Sequence, residues 1–456
     1  MLRSLASIPF LLLSLFALPQ SDIPQNERWQ CQLMFGTEFG PVDTYLDLAW
    51  SDAAHFTAKS PKNADKRVFG TMKSKLARMM KKLPKKGKLL TVTDGTIQQA
   101  NGTDSVFATL SMPMLGNSDI KGVMLDGRIN GGLFKNGERT GSITITKSGL
   151  FQRTDYPGLY GAMRSTIEKN IYDQSLLQTK EWFTFDKKIT KIAKHVKDDV
   201  EFFFGFSVLS QGLPFSHLNL LLMEETPSLV ADPNSRSVTI KALDGSTAYM
   251  DVQNFGGSKQ EMDSICAILL NGGFRTLIVD LRKNGGGGLD SALPFGESIA
   301  TDTVDAGYFV TNRWASKVSR PPQPAAFKDL PVAQERTTEA FIEALKTSEG
   351  RHLVLYPRAD AFKGKVYILT SNRTASTCEP IVDALKRSGR ATIVGENTAG
   401  TMLSATLFKV TGKYHLFLPI ADYYNAELQR LDKVGVKPDI EVKADDALDH
   451  VRALPR

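Results

Sequence analysis

Lys365-Val366-Tyr367-Ile368-Leu369-Thr370, the turn Ser371-Asn372-Arg373-Thr374-Ala375-Ser376-Thr377-Cys378, the run Glu379 to Ser388, and Ala391-Thr392-Ile393-Val394-Gly395 follow one another in close succession. The first and last are short apolar runs rich in β-branched residues and bounded by turn residues, which is how strands buried on both faces read. Between them Ile381, Val382 and Leu385 fall inward at helical spacing and predict a helix over 379–388. Strand, helix and strand at this distance predict a crossover unit on a largely parallel sheet.

Working outward, Thr276-Leu277-Ile278-Val279-Asp280-Leu281 is another buried-strand run, and the α/β pattern begins near Ser237. Residues 156 to 211 have a helical period instead. Leu159, Met163 and Ile167 lie four apart; Ile189, Ile192 and Val196 lie three and four apart, with lysines and acids between them. Residues 29 to 149 read as β-rich. Tyr45 to Trp50 and Ser142 to Thr146 alternate as half-buried strands do, and turns such as Asp94-Gly95, Asp126-Gly127 and Asn136-Gly137 separate the runs. One helix is expected there, with Met72, Leu76, Met79 and Leu83 on one face until Pro84 stops it. Arg320-Pro321-Pro322-Gln323-Pro324 reads as a surface loop.

At the N-terminus, Arg3 and the apolar run Ile8 to Leu18 match a secretory signal better than a membrane span, which needs about 20 apolar residues. An uncleaved anchor is the alternative. Four segments are expected: 1–20 signal peptide, 25–150 β-rich domain (sandwich or barrel), 155–212 helical segment, and 213–456 α/β domain. The expected location is periplasmic or extracellular. Three cysteines (Cys31, Cys266, Cys378) without CxxC spacing give no disulfide framework and no metal motif, and are expected to be buried.

Of 456 residues, 42% are apolar and 23% charged, so a sizeable core can be buried. The net charge of +7 is concentrated: Lys73 to Lys88 holds eight positive charges and no acid. No aromatic interleaves with it, so bases have no stacking platform and nucleic acid is not an expected partner. The run reads as a solvated helix face and basic loop, with an anionic or lipid-headgroup surface as the alternative.

Three places can carry chemistry. Asp280-Leu281-Arg282-Lys283-Asn284-Gly285-Gly286-Gly287-Gly288 puts glycines at a strand's end, where backbone N–H groups can approach a ligand. A phosphate cradle, an oxyanion hole and a flexible loop all fit; the absence of Lys-Ser/Thr and of G-x-G-x-x-G weakens nucleotide binding. Ser376 sits where a strand turns into a helix, exposed to the helix N-terminus; a helix cap explains a serine there equally well. Leu213-Pro214-Phe215-Ser216-His217-Leu218 sets a histidine in an apolar turn. His55, His195, His352 and His450 sit in ordinary contexts, and His415 lies in a strand near the α/β core.

Together these segments resemble the C-terminal processing (tail-specific) serine peptidase family over roughly Pro214 to Val442. Asp280-Leu281-Arg282 with Asn284 and the glycines resembles its D-L-R-x-N-G-G-G block, and Thr374-Ala375-Ser376 with Glu379 its T-A-S-x-x-E nucleophile turn. Val394-Gly395-Glu396 with Thr398 and Gly400 resembles V-G-E-x-T-x-G, and Gly435-Val436-Lys437-Pro438-Asp439-Ile440 its late G-V-x-P-D-I. The resemblance implies an α/β core akin to the Clp protease and crotonase folds, and Ser376 as nucleophile. The lysine of the family's Ser/Lys branch is missing: Thr401 stands in its place, and Lys409 and Lys413 are out of register. Ser216-His217 matches the Ser/His branch, which is similar to the tricorn protease core. Asp432 then stands where a late glutamate is usual.

The resemblance thus implies Ser376 nucleophile, His217 base, Asp432 orienter acting through Ser216, and an oxyanion hole of Thr377 with Gly285 or Gly286. It implies a polypeptide substrate and no metal or organic cofactor. His217 to Tyr249 is too short for the family's peptide-binding PDZ domain. A retired family member holding a hydrophobic ligand or peptide is the alternative from a different class. A crotonase-type thioester enzyme is a more remote one.

Overall fold

The computed structural model of the chain describes residues 27–36, 39–60, 90–100, 102–112, 116–147, 154–224 and 236–454. The expected signal peptide, the 72–83 helix and the basic run lie outside the described residues. Described residues among 1–31, 45–62 and 88–151 form one compact unit, and those among 32–44, 63–87 and 152–456 another.

Eight strands, β1 (Glu27–Phe35), β2 (Phe39–Trp50), β3 (His55–Lys59), β4 (Thr91–Ala100), β5 (Thr103–Met112), β6 (Gly116–Leu125), β7 (Arg128–Lys135) and β8 (Glu138–Lys147), follow one another in sequence order around a closed barrel. Leu46, Leu48, Val106, Leu110, Ile129, Leu133, Ile143 and Ile145 are buried within it. Alternation is common to sandwiches and barrels; closure is a matter of strand number and register, and it removes the sheet edges.

Three helices begin the second unit: α1 (Tyr156–Asn170), α2 (Lys180–His195) and α3 (Asp199–Ser210). Asp155, Thr179 and Asp198 each accept a first-turn N–H at the helix starts, which satisfies an otherwise orphaned donor. The residues at helical spacing, Leu159, Met163, Ile167, Ile189 and Ile192, are all buried.

The rest is mixed α/β. A six-stranded sheet has the order β10 (Val238–Asp244), β11 (Thr247–Val252), β12 (Thr276–Asp280), β15 (Lys365–Thr370), β16 (Thr392–Gly395), β19 (Ile440–Glu441). Only the β10–β11 pair is antiparallel. The helices α4 (Lys259–Asn271), α5 (Leu289–Ile299), α6 (Thr338–Thr347) and α7 (Cys378–Arg387) contribute to one continuous core with it, and α8 (Ala447–Ala453) covers a smaller cluster. A second, antiparallel sheet runs β14 (Gly350–Leu355), β13 (Val304–Thr311), β18 (Tyr414–Tyr424), β17 (Ser404–Thr411), with β9 (Asn219–Leu222) also on β18. The crossover β15–α7–β16 joins parallel neighbours. All three cysteines are buried, and none forms a disulfide among the described residues.

Candidate active site

Ser376 stands at the C-terminal end of β15, two residues before α7. Its φ is +56°, a left-handed conformation that costs a non-glycine residue about 1–3 kcal/mol. Hydrogen bonds hold the turn there. Thr374 Oγ1 donates to Leu281 O (2.8 Å), Ser371 Oγ to Arg282 O (2.6 Å), and Ala375 N–H to Asn284 O (3.1 Å). No side chain of Ser376 or Thr377 caps α7. Thr377 Oγ1 donates to Gly287 O instead (2.7 Å), and Glu379 Oε2 accepts the Ser376 N–H (3.1 Å). The Ser376 hydroxyl enters no hydrogen bond among the described residues.

The glycine block starts from a pinned turn. Asp280 accepts Tyr249 OH (2.7 Å) and both N–H (3.0 Å) and Nε (2.9 Å) of Arg282, while Arg282 Nη1 donates to Ala444 O (2.7 Å). Buried Asn284 accepts the Gly286 N–H on its side chain at 2.9 Å, so that amide is already occupied. Gly285 is exposed. Gly286, at φ +103°, lies against the serine: a Cβ added there would stand 2.7 Å from Ser376 Cβ. Gly287 bridges Phe255. Phe255 N–H donates to Gly286 O and Gly288 N–H to Phe255 O. The N–H groups of Gly287 and Thr377 have no partner among the described residues. Sequence alone does not single out Gly287, because four successive glycines differ only in the dihedrals and bonds that the fold gives them.

His217 follows α3 by a short turn, has a φ of +63° and leads directly into β9. Pairing of β9 with β18, Asn219 opposite Phe417, sets its place; the His217 ring lies 5.8 Å from that of Phe417. Ser216 Oγ is 2.6 Å from His217 Nδ1. Asp432 is buried and accepts the Ser216 N–H and the Met402 N–H, both at 3.2 Å. It thus touches Ser216 through the backbone and not through the hydroxyl. Burial pushes the His217 pKa down to about 4; the Asp432 charge pulls it up and Lys433 pulls it down.

Ser376, Thr377, Gly287 and His217 line one cleft of about 620 Å³. Its apolar wall includes Phe309, Phe341, Ile342, Leu353, Ile381 and Leu403, all nearly fully buried. Thr401 donates its N–H to Glu379 (2.9 Å), Lys409 is exposed on β17, and Lys413 is ion-paired with Asp199 (2.6 Å). His415 is buried in β18. None of these four lines the cleft. No cluster of potential metal ligands occurs among the described residues.

Residues 246–442 match the model of peptidase family S41. A carboxyl-terminal-processing protease of Synechocystis is 26% identical over 162 residues, 36% of this chain and 30% of that protein. The chloroplastic carboxyl-terminal-processing peptidase 3 of Arabidopsis thaliana is 31% identical over 74 residues, 16% of this chain and 14% of that protein. The matches therefore span under a third of either relative. A lipoprotein structure from Streptococcus agalactiae is 16% identical, with a TM-score of 0.44 over 67% of this chain and 98% of that one. Within the matched span fall the glycine block, the turn at Ser376, the loop at Thr398 and the late Gly-Val-Lys-Pro-Asp-Ile, and residues 246–442 are a domain of peptidase family S41, the family of the C-terminal processing peptidases.

Proposed function

We propose that the chain is an exported serine endopeptidase that cleaves polypeptides through an acyl-enzyme, on a Clp protease- and crotonase-like catalytic domain running from residue 213 to the end. The observation that carries the reading is the strained, unbonded Ser376 sharing one apolar cleft with a histidine tethered at Nδ1. In this reading His217 keeps its proton on Nδ1, donated to Ser216 Oγ, and offers Nε2 as acceptor. Ser376 Oγ attacks the scissile carbonyl carbon as its proton passes to Nε2. The oxyanion is bound by the Thr377 and Gly287 N–H groups; Gly287 replaces Gly286, whose amide serves Asn284. The imidazolium then protonates the leaving amine. Water, deprotonated by His217, hydrolyses the ester and frees Ser376. Asp432 stabilises the imidazolium by its charge and by holding the Ser216 backbone.

Support for export comes from the sequence of residues 1–20, which reads as a secretory signal, and in this reading the protein works in the periplasm or outside the cell. No helix among the described residues is long and apolar enough to cross a membrane. The test is labelling with a fluorophosphonate probe. Wild type should label, Ser376→Ala should not, His217→Ala should label at least about 100-fold more slowly, and Lys409→Ala should match wild type. Absence of wild-type labelling, also after limited proteolysis, would remove the peptidase reading.

A further inference from the structure

The outer face of α2 has no place in the proposed chemistry. Trp182, Phe185, Ile189, Ile192 and Ala193 bury its inner face. On the opposite side, Lys180, Lys187, Lys191 and Lys194 are exposed and enter no ion pair among the described residues. At about 100° per residue these four lie within about 40° of one line, with Phe183, Thr184 and His195 beside them and no acid. Glu181 falls at the margin. Asp186 points elsewhere, accepting the Tyr160 hydroxyl at 2.8 Å and pairing with Arg164 at 3.3 Å. Phe183 is 55% exposed. An open depression of about 720 Å³ lies over Lys180, Phe183, Lys187 and Lys191.

We propose that this face docks on an anionic lipid bilayer. Four cations without an ion pair among the described residues, along about 20 Å of helix, call for an anionic partner. A protein partner would also need an apolar core to its interface, and this face offers one phenylalanine. A bilayer asks for less: charge spread along an interfacial helix and shallow insertion of an aromatic ring. The core beneath α2 is complete without a partner, so docking needs no refolding.

The test is cosedimentation of the full chain with phosphatidylcholine vesicles, with and without phosphatidylglycerol. Wild type should bind only the anionic vesicles. Combined Lys180→Gln, Lys187→Gln, Lys191→Gln and Lys194→Gln should weaken binding several hundredfold, at about fivefold per charge, with fluorophosphonate labelling and thermal midpoint unchanged. Phe183→Ala should weaken it about tenfold, and this loss should persist in high salt, where the lysine contribution fades. The proposal is overturned if the fourfold variant binds anionic vesicles as wild type does, since another basic segment would then be responsible. It is equally overturned if wild type ignores vesicles but binds polyglutamate through these lysines, which would assign the face to an acidic polypeptide.

Discussion

Glu379 Oε1 accepts the Thr398 hydroxyl at 2.6 Å, and this bond ties the turn at Ser376 to the loop after β16. The same carboxylate accepts the N–H groups of Gly400 (2.8 Å), Thr401 (2.9 Å) and Ser376 (3.1 Å), and Thr398 Oγ1 accepts Val436 N–H (2.7 Å). All four groups on Glu379 donate, which an ionised carboxylate can satisfy and an amide cannot. Burial pushes the Glu379 pKa above the ordinary carboxylate value, and these bonds limit the rise. Glu379→Gln should therefore destabilise by about 2 kcal/mol in urea denaturation and slow Ser376 labelling at least about tenfold. Wild-type labelling in that variant would mean the carboxylate does not set the serine's conformation.

The glycines of the block should not be equivalent. A Cβ at Gly285 meets nothing within 4 Å, whereas at Gly286 it would press on Ser376 Cβ at 2.7 Å and Ala375 O at 3.0 Å from a left-handed φ. Gly285→Ala should label like wild type. Gly286→Ala should lose at least about 100-fold in labelling rate while staying folded, because it moves Ser376 rather than the core. Equal effects from the two would break this account of the turn.

The strand–helix–strand unit around Ser376 was legible because Leu369, Ile381 and Val394 are buried in the spacing that each element's period demands. The four blocks were legible as motifs, but not their joining: Glu379 reaches residues about twenty positions away, Thr398 reaches Val436, and Thr374 reaches Leu281. Local pattern carries no information on such pairings. Asp432 was picked out by position alone, and its bond to the Ser216 backbone in place of the hydroxyl depends on where two turns meet. Closure of the barrel was equally hidden, since alternation does not encode register.

In the proposed mechanism His217 is the base and works deprotonated, its form above a pKa near 4. Labelling should stay level from about pH 8 to about pH 5 and then fall with a midpoint near 4. Lys433 lowers this pKa and Asp432 raises it, so Lys433→Ala should move the midpoint up and Asp432→Asn should move it down. Stability follows with a definite sign. An unfolded histidine titrates near about 6.5, so between there and the folded value the unfolded chain binds the extra proton. Wild type should lose stability relative to His217→Gln as pH falls through that window. A parallel pair of stability curves would refute burial of a neutral His217.

Cleft chemistry predicts what lies next to the scissile bond. Phe309, Phe341, Ile342, Leu353 and Leu403 give the wall beside Ser376 little to pair with a charge, while Glu339, Glu343 and Lys346 lie on the same lining. Lys346 is already paired with Glu343 at 2.6 Å. A peptide placing Leu or Phe there should be cleaved about 100-fold faster than one placing Asp or Lys, measured as kcat/KM on a fluorogenic series. Leu353→Asp should reverse part of that order in favour of Lys, at a cost in stability that a thermal midpoint will show. An order that ignores the substitution would mean that the substrate side chain beside the scissile bond does not enter this cleft.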